Sequence, residues 1–212
     1  GRQEVKLDMN SIENIIKGKR VLITGAGGSI GFELLKQSLT FNPSEIICLD
    51  TSEEKIYQIE QFIEGIQYST IVKTVLGSVN KKNECEMVFS ENHPQIVFHA
   101  AAYKHVNLSM NNPVSFIENN IFGTLNLVKC SLKHKCQKFL LISTDKAVRP
   151  INIMGLTKRV AELIVLGHNN KKDNETLFSV VRFGNVLNSR GSVIPIFRQQ
   201  IKSGGPVTVT DP

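Results

Sequence analysis

The chain has 212 residues, of which 41% are hydrophobic and 21% charged, and its formal net charge is +6. This composition is typical of one globular domain and excludes intrinsic disorder. No apolar run approaches the ~20 residues that would cross a bilayer, and the polar first 20 residues lack the apolar stretch of a signal peptide, so we expect a cytoplasmic protein. The positive charge suits an anionic ligand, nucleic acid or an acidic membrane face and does not choose among them.

Apolar strands alternate with longer amphipathic segments along nearly the whole chain. The predicted strands are Arg20–Thr24, Glu45–Leu49, Ile71–Leu76, Gln95–His99, Phe139–Ser143 and Ser179–Phe183. The predicted helices cover residues 30–40, 53–65, 81–90, 113–134 and 153–167. Such alternation indicates right-handed β-α-β crossovers and therefore an α/β fold, a doubly wound parallel sheet with helices on both faces.

The four cysteines, Cys48, Cys85, Cys130 and Cys136, are scattered along the chain. They form no CxxC pair, and no histidine cluster has the spacing of a zinc site. We therefore expect reduced thiols that pack in the core, with no disulfide framework and no metal site.

The first predicted strand runs into a glycine-rich loop, Thr24 to Gly31, after which a helix begins. In a dinucleotide-binding loop Gly25 would permit the tight turn, Gly28 would let the backbone approach a pyrophosphate, and Gly31 would let the helix pack closely on the sheet. The phosphates would then lie over the N-terminus of the helix. The spacing GxxGxxG is one residue wider at its start than GxGxxG, but the strand before it and the helix after it are those the motif requires. We expect the cofactor to be bound by Gly25, Gly28, Ser29, Ile30 and Gly31.

An acidic residue, Asp50, ends the second predicted strand, about 20 residues after the loop. A carboxylate there accepts hydrogen bonds from the adenosine ribose hydroxyls and repels a 2′-phosphate, so NAD is favoured over NADP. Lys55 lies nearby in the sequence, and its positive charge leaves NADP as the alternative cofactor. The alternative is a glycine turn that binds no ligand.

A carboxyl group and an amine, Asp145 and Lys146, follow the fifth predicted strand, and Lys158 lies one helix further on. A proton donor beside a proton acceptor at the carboxyl end of a strand is what general acid-base catalysis needs. The alternative is an ordinary surface ion pair, which contributes little.

Several motifs in the same order resemble the UDP-N-acetylglucosamine 4,6-dehydratases of capsule, O-antigen and protein-glycan synthesis, within the extended short-chain dehydrogenase/reductase family. The motifs are residues 24–31, His99 to Val106, Asn120 to Thr124, Ser143 to Val148, Met154 to Arg159 and Arg182 to Val186. The resemblance covers residues 19–212 and implies NAD as cofactor, a UDP-sugar rather than nucleic acid as partner, and a homo-oligomer. The opening Gly1 to Val5 also resembles the linker that follows a membrane region in the long members, so the full-length protein would be held at the cytoplasmic membrane face.

The resemblance implies three segments. Residues 1–18 would be a lead-in, 19–186 an NAD-binding Rossmann domain, and 187–212 the start of a substrate-binding part. Because the tail begins a short strand and then ends, we expect that a downstream piece is missing.

The resemblance also implies the reaction and the residues that perform it. NAD takes hydride from C4 of the sugar, Lys146 removes the C5 proton, Asp145 protonates the C6 hydroxyl as water leaves, and the hydride returns at C6. Ser143 and Thr144 would hydrogen-bond the C4 oxygen, and Lys158 would hold the nicotinamide ribose. Further cofactor contacts would come from Ala100, Ala101 and Ala102, and substrate contacts from Lys104, His105, Asn185, Arg190 and Ser192.

Position 154 departs from the Tyr-x-x-x-Lys pattern of most short-chain dehydrogenases, because its Met cannot titrate. The long dehydratases resemble this chain at that position, so we count Met154 with the catalytic segment and expect Asp145 and Lys146 to supply the proton transfer. The rivals are a UDP-sugar 4-epimerase on the same fold, which would normally need the Tyr, and a catalytically silent NAD-binding regulator.

Overall fold

The computed structural model describes residues 8–65, 68–169, 174–186 and 193–207. Within these ranges the predicted parallel sheet is confirmed, with six strands in the order β3-β2-β1-β4-β5-β6. The strands are β1 (Arg20–Thr24), β2 (Glu45–Asp50), β3 (Ile71–Leu76), β4 (Ile96–His99), β5 (Lys138–Thr144) and β6 (Leu177–Phe183). The strand order reverses between β1 and β4, and in such sheets ligands bind at the carboxyl ends of the strands beside that point.

Helices precede, separate and follow the strands along the chain, and those described before Arg182 cover both faces of the sheet. They are α1 (Met9–Ile16), α2 (Ser29–Leu39), α3 (Glu53–Glu64), α4 (Lys82–Asn92), α5 (Val106–Asn111), α6 (Pro113–Ile117), α7 (Gly123–Lys133), α8 (Ile153–Leu166) and α9 (Val193–Lys202). The described residues up to Arg182 form one compact unit, and those from Phe183 onward form another.

Two hydrophobic clusters lie on opposite faces of the sheet, because successive side chains of a strand point to opposite sides. In β1, Val21 and Ile23 belong to the cluster that α1, α2 and α3 cover. Leu22 belongs to the cluster that α4, α7 and α8 cover. The four cysteines are free and buried in these clusters, as predicted.

The predicted helix over residues 113–134 is interrupted. A π-helical turn, Glu118–Phe122, separates α6 from α7 and buries Asn119 and Asn120. Single π-helical turns of this kind are frequent at functional sites. The short helix α5 was not predicted, because its six residues are too few to show a helical apolar period.

The described residues contain neither a membrane-spanning helix nor a metal-binding cluster. No helix there is long and apolar enough to cross a membrane. In the same part of the chain, no three His, Cys, Asp or Glu side chains are grouped as a metal ion would need.

Candidate functional site

The loop between β1 and α2 is built by the close approach of backbone segments. Gly25 has φ +65°, and a β-carbon on it would lie 2.7 Å from the Cα and N of Ala101. A β-carbon on Gly31 would lie 2.1 Å from the carbonyl oxygen of Gly25. The helix begins at Ser29 with Gly28 as its N-cap, followed by Ile30. Because Gly25 and Gly28 carry no side chains, a ligand can approach the backbone at the N-terminus of α2 closely, which suits a pyrophosphate.

The carboxylate of Asp50 at the end of β2 is held by two backbone donors. Its Oδ2 accepts from the N–H of Gly27 at 3.0 Å and its Oδ1 accepts from the N–H of Ser52 at 3.1 Å. Two oxygens offer about four acceptor positions, so the group can still accept from ribose hydroxyls. The side chain of Lys55 lies against Gly27, where a β-carbon would be 2.3 Å from the Cβ of Lys55.

A pocket lies where the carboxyl ends of β1, β2 and β4 meet. The predicted cofactor residues Gly25, Gly28, Asp50, Ala100, Ala101 and Ala102 all line it, together with Leu49, Thr51, Lys55, Gly77, Val79, Tyr103 and Asn119. The glycine cradle and the acidic group on one wall fit a dinucleotide.

The predicted acid-base pair lies on a single 3₁₀ turn, Asp145–Ala147, directly after β5. The Asp145 Oδ1 accepts from the hydroxyl of Thr144 at 2.9 Å and from the Lys146 Nζ at 3.3 Å. The side chains of Asp145 and Lys146 are 56% and 39% exposed, so both can reach a substrate. The Thr144 hydrogen bond, followed by the Lys146 ammonium, holds the pKa of Asp145 below its usual range, and its carboxyl is ionised at neutral pH.

The first two turns of α8 lie under this pair. Met154 and Lys158 are each only 4% exposed. The Lys158 Nζ donates to the carbonyl oxygen of Ile142 at 2.7 Å. Burial lowers the pKa of Lys158 to about 8, although the nearby Glu162 acts in the opposite direction. Lys158 therefore exchanges its proton more readily near neutral pH than an exposed lysine does.

The start of α8 packs directly on the acid-base turn. The side chain of Asn152 caps the helix by accepting from the N–H of Gly155 at 2.8 Å. A β-carbon on Gly155 would lie 2.5 Å from the carbonyl oxygen of Lys146. Because Gly155 has no side chain, α8 can approach the turn Asp145–Ala147 this closely.

Ser143 does not lie where the sequence predicted. We expected its hydroxyl to contact the C4 oxygen of the substrate, but it is buried and donates to the Glu162 Oε1 at 2.6 Å. The reason is the alternation of β5, which points Ser143 into the core and exposes part of its neighbour Thr144. Thr144 is the member of the pair that remains available to a ligand.

Glu162 is a charged residue of this region that the sequence analysis did not identify. Its side chain is fully buried and accepts two hydrogen bonds from Arg182, at 2.7 and 2.5 Å, and one from Arg159 at 3.1 Å. Burial alone would raise the pKa of Glu162, but the donors Arg182, Ser143 and Arg159 lower it to about 2. This carboxylate joins β5, α8 and β6 beneath the acid-base turn.

Comparison with known proteins shows which family the chain belongs to. A family model described as "Polysaccharide biosynthesis protein" matches residues 21–212. The chain belongs to this family. The family resemblance predicted from the motifs is thereby confirmed.

The relatives that the chain resembles have different names. The probable polysaccharide biosynthesis protein EpsC of Bacillus subtilis is 48% identical over the whole chain, which spans only 35% of EpsC. A UDP-N-acetylglucosamine 4,6-dehydratase (inverting) of Campylobacter jejuni is 34% identical over 92% of this chain and 58% of its own length. A UDP-glucose 4-epimerase of Rickettsia canadensis is 38% identical over 92% of this chain and 57% of its own length.

A solved structure agrees with the fold. The X-ray structure of Pen from Bacillus thuringiensis has a TM-score of 0.86 and 36% identity, and the match covers 92% of this chain and 59% of Pen. The polysaccharide biosynthesis family member described here therefore shares its architecture with an experimentally determined protein.

The predicted substrate residues of this family member are only partly brought together. Lys104 and His105 follow the pocket wall formed by Ala100 to Ala102, and His105 is the exposed N-cap of α5. Burial, followed by the charge of Lys55, lowers the pKa of Lys104. Asn185 is exposed and belongs to the second compact unit. Arg190 and Ser192 lie outside the described residues.

Proposed function

We propose that the chain is the cofactor-binding and proton-transfer part of an NAD-dependent UDP-N-acetylglucosamine 4,6-dehydratase. The enzyme would be a lyase that makes a UDP-4-keto-6-deoxy-N-acetylhexosamine for polysaccharide or protein-glycan synthesis. Residues 19–186 would form the NAD-binding domain and residues 187–212 the start of the substrate-binding part. The observation that carries the proposal is the contact between Asp145 and Lys146 on one exposed turn after β5.

NAD, when bound, would accept a hydride from C4 of the sugar and return it at C6. The chain would hold this cofactor with the glycine loop around Gly25 and Gly28 and with the carboxylate of Asp50. Lys158 is buried beside the end of β5, where its positive charge would favour the transfer of a proton from a hydroxyl at C4 to solvent water as the hydride leaves. The hydroxyl of Thr144 would orient the same oxygen.

The acid and base roles require one proton to move within the pair. In the structure the Asp145 carboxylate faces the Lys146 ammonium. Transfer of one proton from Lys146 to Asp145 gives a neutral amine, which can remove the C5 proton, and a carboxylic acid, which can protonate the C6 hydroxyl. When the hydride returns at C6, the Lys146 ammonium gives a proton back to C5, and the pair then regains one proton from water. A sugar that covers the pair excludes water, and burial disfavours the charged forms of both groups. Substrate binding would therefore produce the reactive pair without changing its total number of protons.

A UDP-sugar 4-epimerase is the second candidate, because one relative at 38% identity has that name. Both reactions begin by oxidising the C4 hydroxyl, so the buried Met154, which cannot exchange a proton, does not separate them. Only dehydration needs a base at C5 and an acid at C6. The Asp145–Lys146 pair therefore supports dehydration.

The two candidates give different products from UDP-N-acetylglucosamine. Incubated with the full-length protein, a dehydratase forms a 4-keto-6-deoxy sugar that has lost one water, which mass spectrometry and NMR detect. An epimerase forms a product of unchanged mass with inverted C4. The second outcome would reject our proposal in favour of the epimerase, and absence of both products would favour the catalytically silent NAD-binding regulator.

The cofactor assignment predicts a change in nucleotide preference. Asp50→Ala should weaken NAD binding about tenfold or more, since a hydrogen bond to a charged group contributes about 1.5–3 kcal/mol, and it should narrow the gap between NAD and NADP. The measurement is calorimetry with both nucleotides. Glu45→Ala is the matched control, because it removes a carboxylate from the opposite end of β2 and should leave both affinities unchanged. Tighter binding of NADP than of NAD to the unmutated protein would reject the assignment.

A further inference from the structure

A fully buried histidine joins the two strands that form the walls of the pocket. His99 ends β4, and its Nδ1 lies 2.8 Å from the Oγ1 of Thr24, the residue before Gly25. Its Nε2 lies 2.9 Å from the Oγ1 of Thr124 in α7. Burial, followed by the charge of Lys158, lowers the pKa of His99 to about 3, so the imidazole is neutral at neutral pH.

The partners of His99 determine which ring nitrogen carries the proton. The Thr124 hydroxyl donates to the carbonyl oxygen of Asn120 at 2.7 Å, so its one hydrogen is used and it must accept from the His99 Nε2. A neutral imidazole has one N–H, so the Nδ1 accepts from the Thr24 hydroxyl. The Thr24 Oγ1 in turn accepts from the backbone N–H of Ala101 at 3.4 Å. The hydrogen bonds therefore run in one direction, from Ala101 to Asn120.

The side chain of Asn120 extends this series of hydrogen bonds to helix α8. Its Oδ1 accepts from the N–H of Tyr103 at 2.8 Å, and its Nδ2 donates to the Tyr103 carbonyl at 3.0 Å and to the Thr157 Oγ1 at 3.0 Å. The Thr157 hydroxyl then donates to the carbonyl oxygen of Met154 at 2.8 Å. The π-helical turn Glu118–Phe122 thus places one amide where it can bond both the pocket wall and α8.

We infer that His99 is a positioning residue for the cofactor pocket: with Thr24 and Thr124, it holds the glycine loop against Ala101. The two walls touch through backbone atoms, because Gly25 has no room for a β-carbon beside Ala101. Apolar side chains could fill the same space, but they would not fix the position of the end of β1 relative to the end of β4. A fully satisfied buried network, by contrast, specifies one arrangement. The inference rests on the proposed function only in that NAD is the probe of the pocket.

The first test needs no ligand. Nitrogen-15 NMR of the histidine-labelled chain should show His99 neutral, with its proton on Nε2, from about pH 5 to about pH 8. A proton on Nδ1, or a charged ring in that range, would overturn the inference because the hydrogen bonds could not run as described. This measurement stands whether or not the proposed reaction is correct.

The second test separates positioning from stability with one substitution at three sites. Thr24→Val and Thr124→Val each remove a hydroxyl from the network while keeping its shape. Thr70→Val is the control: Thr70 is also buried and donates to the carbonyl oxygen of Pro43 at 2.9 Å, at the amino end of the sheet.

The three variants should lose similar thermal stability, but only Thr24→Val and Thr124→Val should weaken NAD binding, by about tenfold, equivalent to about 1.4 kcal/mol. Calorimetry measures the affinity. An unchanged affinity in both network variants, or an equal loss in Thr70→Val, would overturn the positioning role. Failure of the unmutated chain to bind NAD would contradict the proposed function instead. The tautomer of His99, measured by NMR, would then still show whether the hydrogen-bond network is correct.

Discussion

Asp145→Asn and Lys146→Met should each slow dehydration of UDP-N-acetylglucosamine by about 10²–10⁴-fold in the full-length protein, the usual span for a positioned acid or base. Both substitutions keep the size of the side chain and remove its proton exchange. The two losses should be far from additive, because groups that serve one elimination act as a unit. The measurement is the rate of product formation at saturating substrate, with NAD affinity measured in parallel. The affinity should be nearly unchanged, because neither side chain lines the cofactor pocket.

Two controls bracket this result. Lys138→Met makes the same change at the opposite end of β5 and should leave the rate unchanged. Met154→Ala removes packing from a buried position and should reduce the rate much less than the two acid-base variants. A wild-type rate in either acid-base variant would rule out the assigned roles, and a Met154→Ala loss as large as theirs would give the Met a role beyond packing.

Glu162→Gln should destabilise the folded chain by about 1–3 kcal/mol, because it weakens the hydrogen bonds of a fully buried group, whereas Arg182 and Arg159, each more than a third exposed, stay partly solvated. Arg182 and Arg159 would lose the charge that they bond, and the amide can accept with only one of its two terminal atoms. Urea unfolding followed by circular dichroism measures the difference. Glu86→Gln is the matched control, since that carboxylate accepts from Lys133 and His134 near the surface, where solvent screens the pair.

The stability of the folded chain should also depend on pH through the carboxylate of Glu162. The pKa of Glu162 is about 2 in the folded chain, below its ordinary 4.5, so its contribution to stability is complete above about pH 5 and is lost as the pH falls toward 2. The unmutated chain should therefore lose stability more steeply than Glu162→Gln over that interval. Parallel acid titrations of the two proteins, or equal stability at neutral pH, would contradict the role of this residue.

The sheet could be predicted from the sequence because its central strands β1, β2 and β4 are buried on both faces. Such strands appear as short continuous apolar runs, and the alternating helices require parallel pairing. The predicted ends of β1 and β3 match the structure, and those of the other strands differ by one or two residues. The glycine loop, Asp50 and the Asp145–Lys146 pair could also be found, because each is a local pattern at the carboxyl end of a strand.

What could not be predicted depends on partners far apart in the chain. The sequence predicted that Ser143 contacts the substrate, whereas in the structure its hydroxyl donates to Glu162, which lies 19 residues later in the chain. Glu162 lies in an apolar helix face, which was a signal that its charge must be paired, but the partner Arg182 belongs to a different strand. The orientation of His99 likewise depends on Thr24 and Thr124, and no local pattern links these three residues.

The most direct test of the account is to run the reaction of the full-length protein with UDP-N-acetylglucosamine in deuterium oxide. If Lys146 removes the proton at C5, the product must be a 4-keto-6-deoxy sugar that carries deuterium at C5, and Lys146→Met should form it far more slowly. As a control, the product is kept in deuterium oxide without enzyme, which measures how fast the hydrogen at C5, next to the ketone, exchanges spontaneously. A C4-inverted product that retains its hydroxyl at C6 and its original hydrogen at C5 would contradict the account.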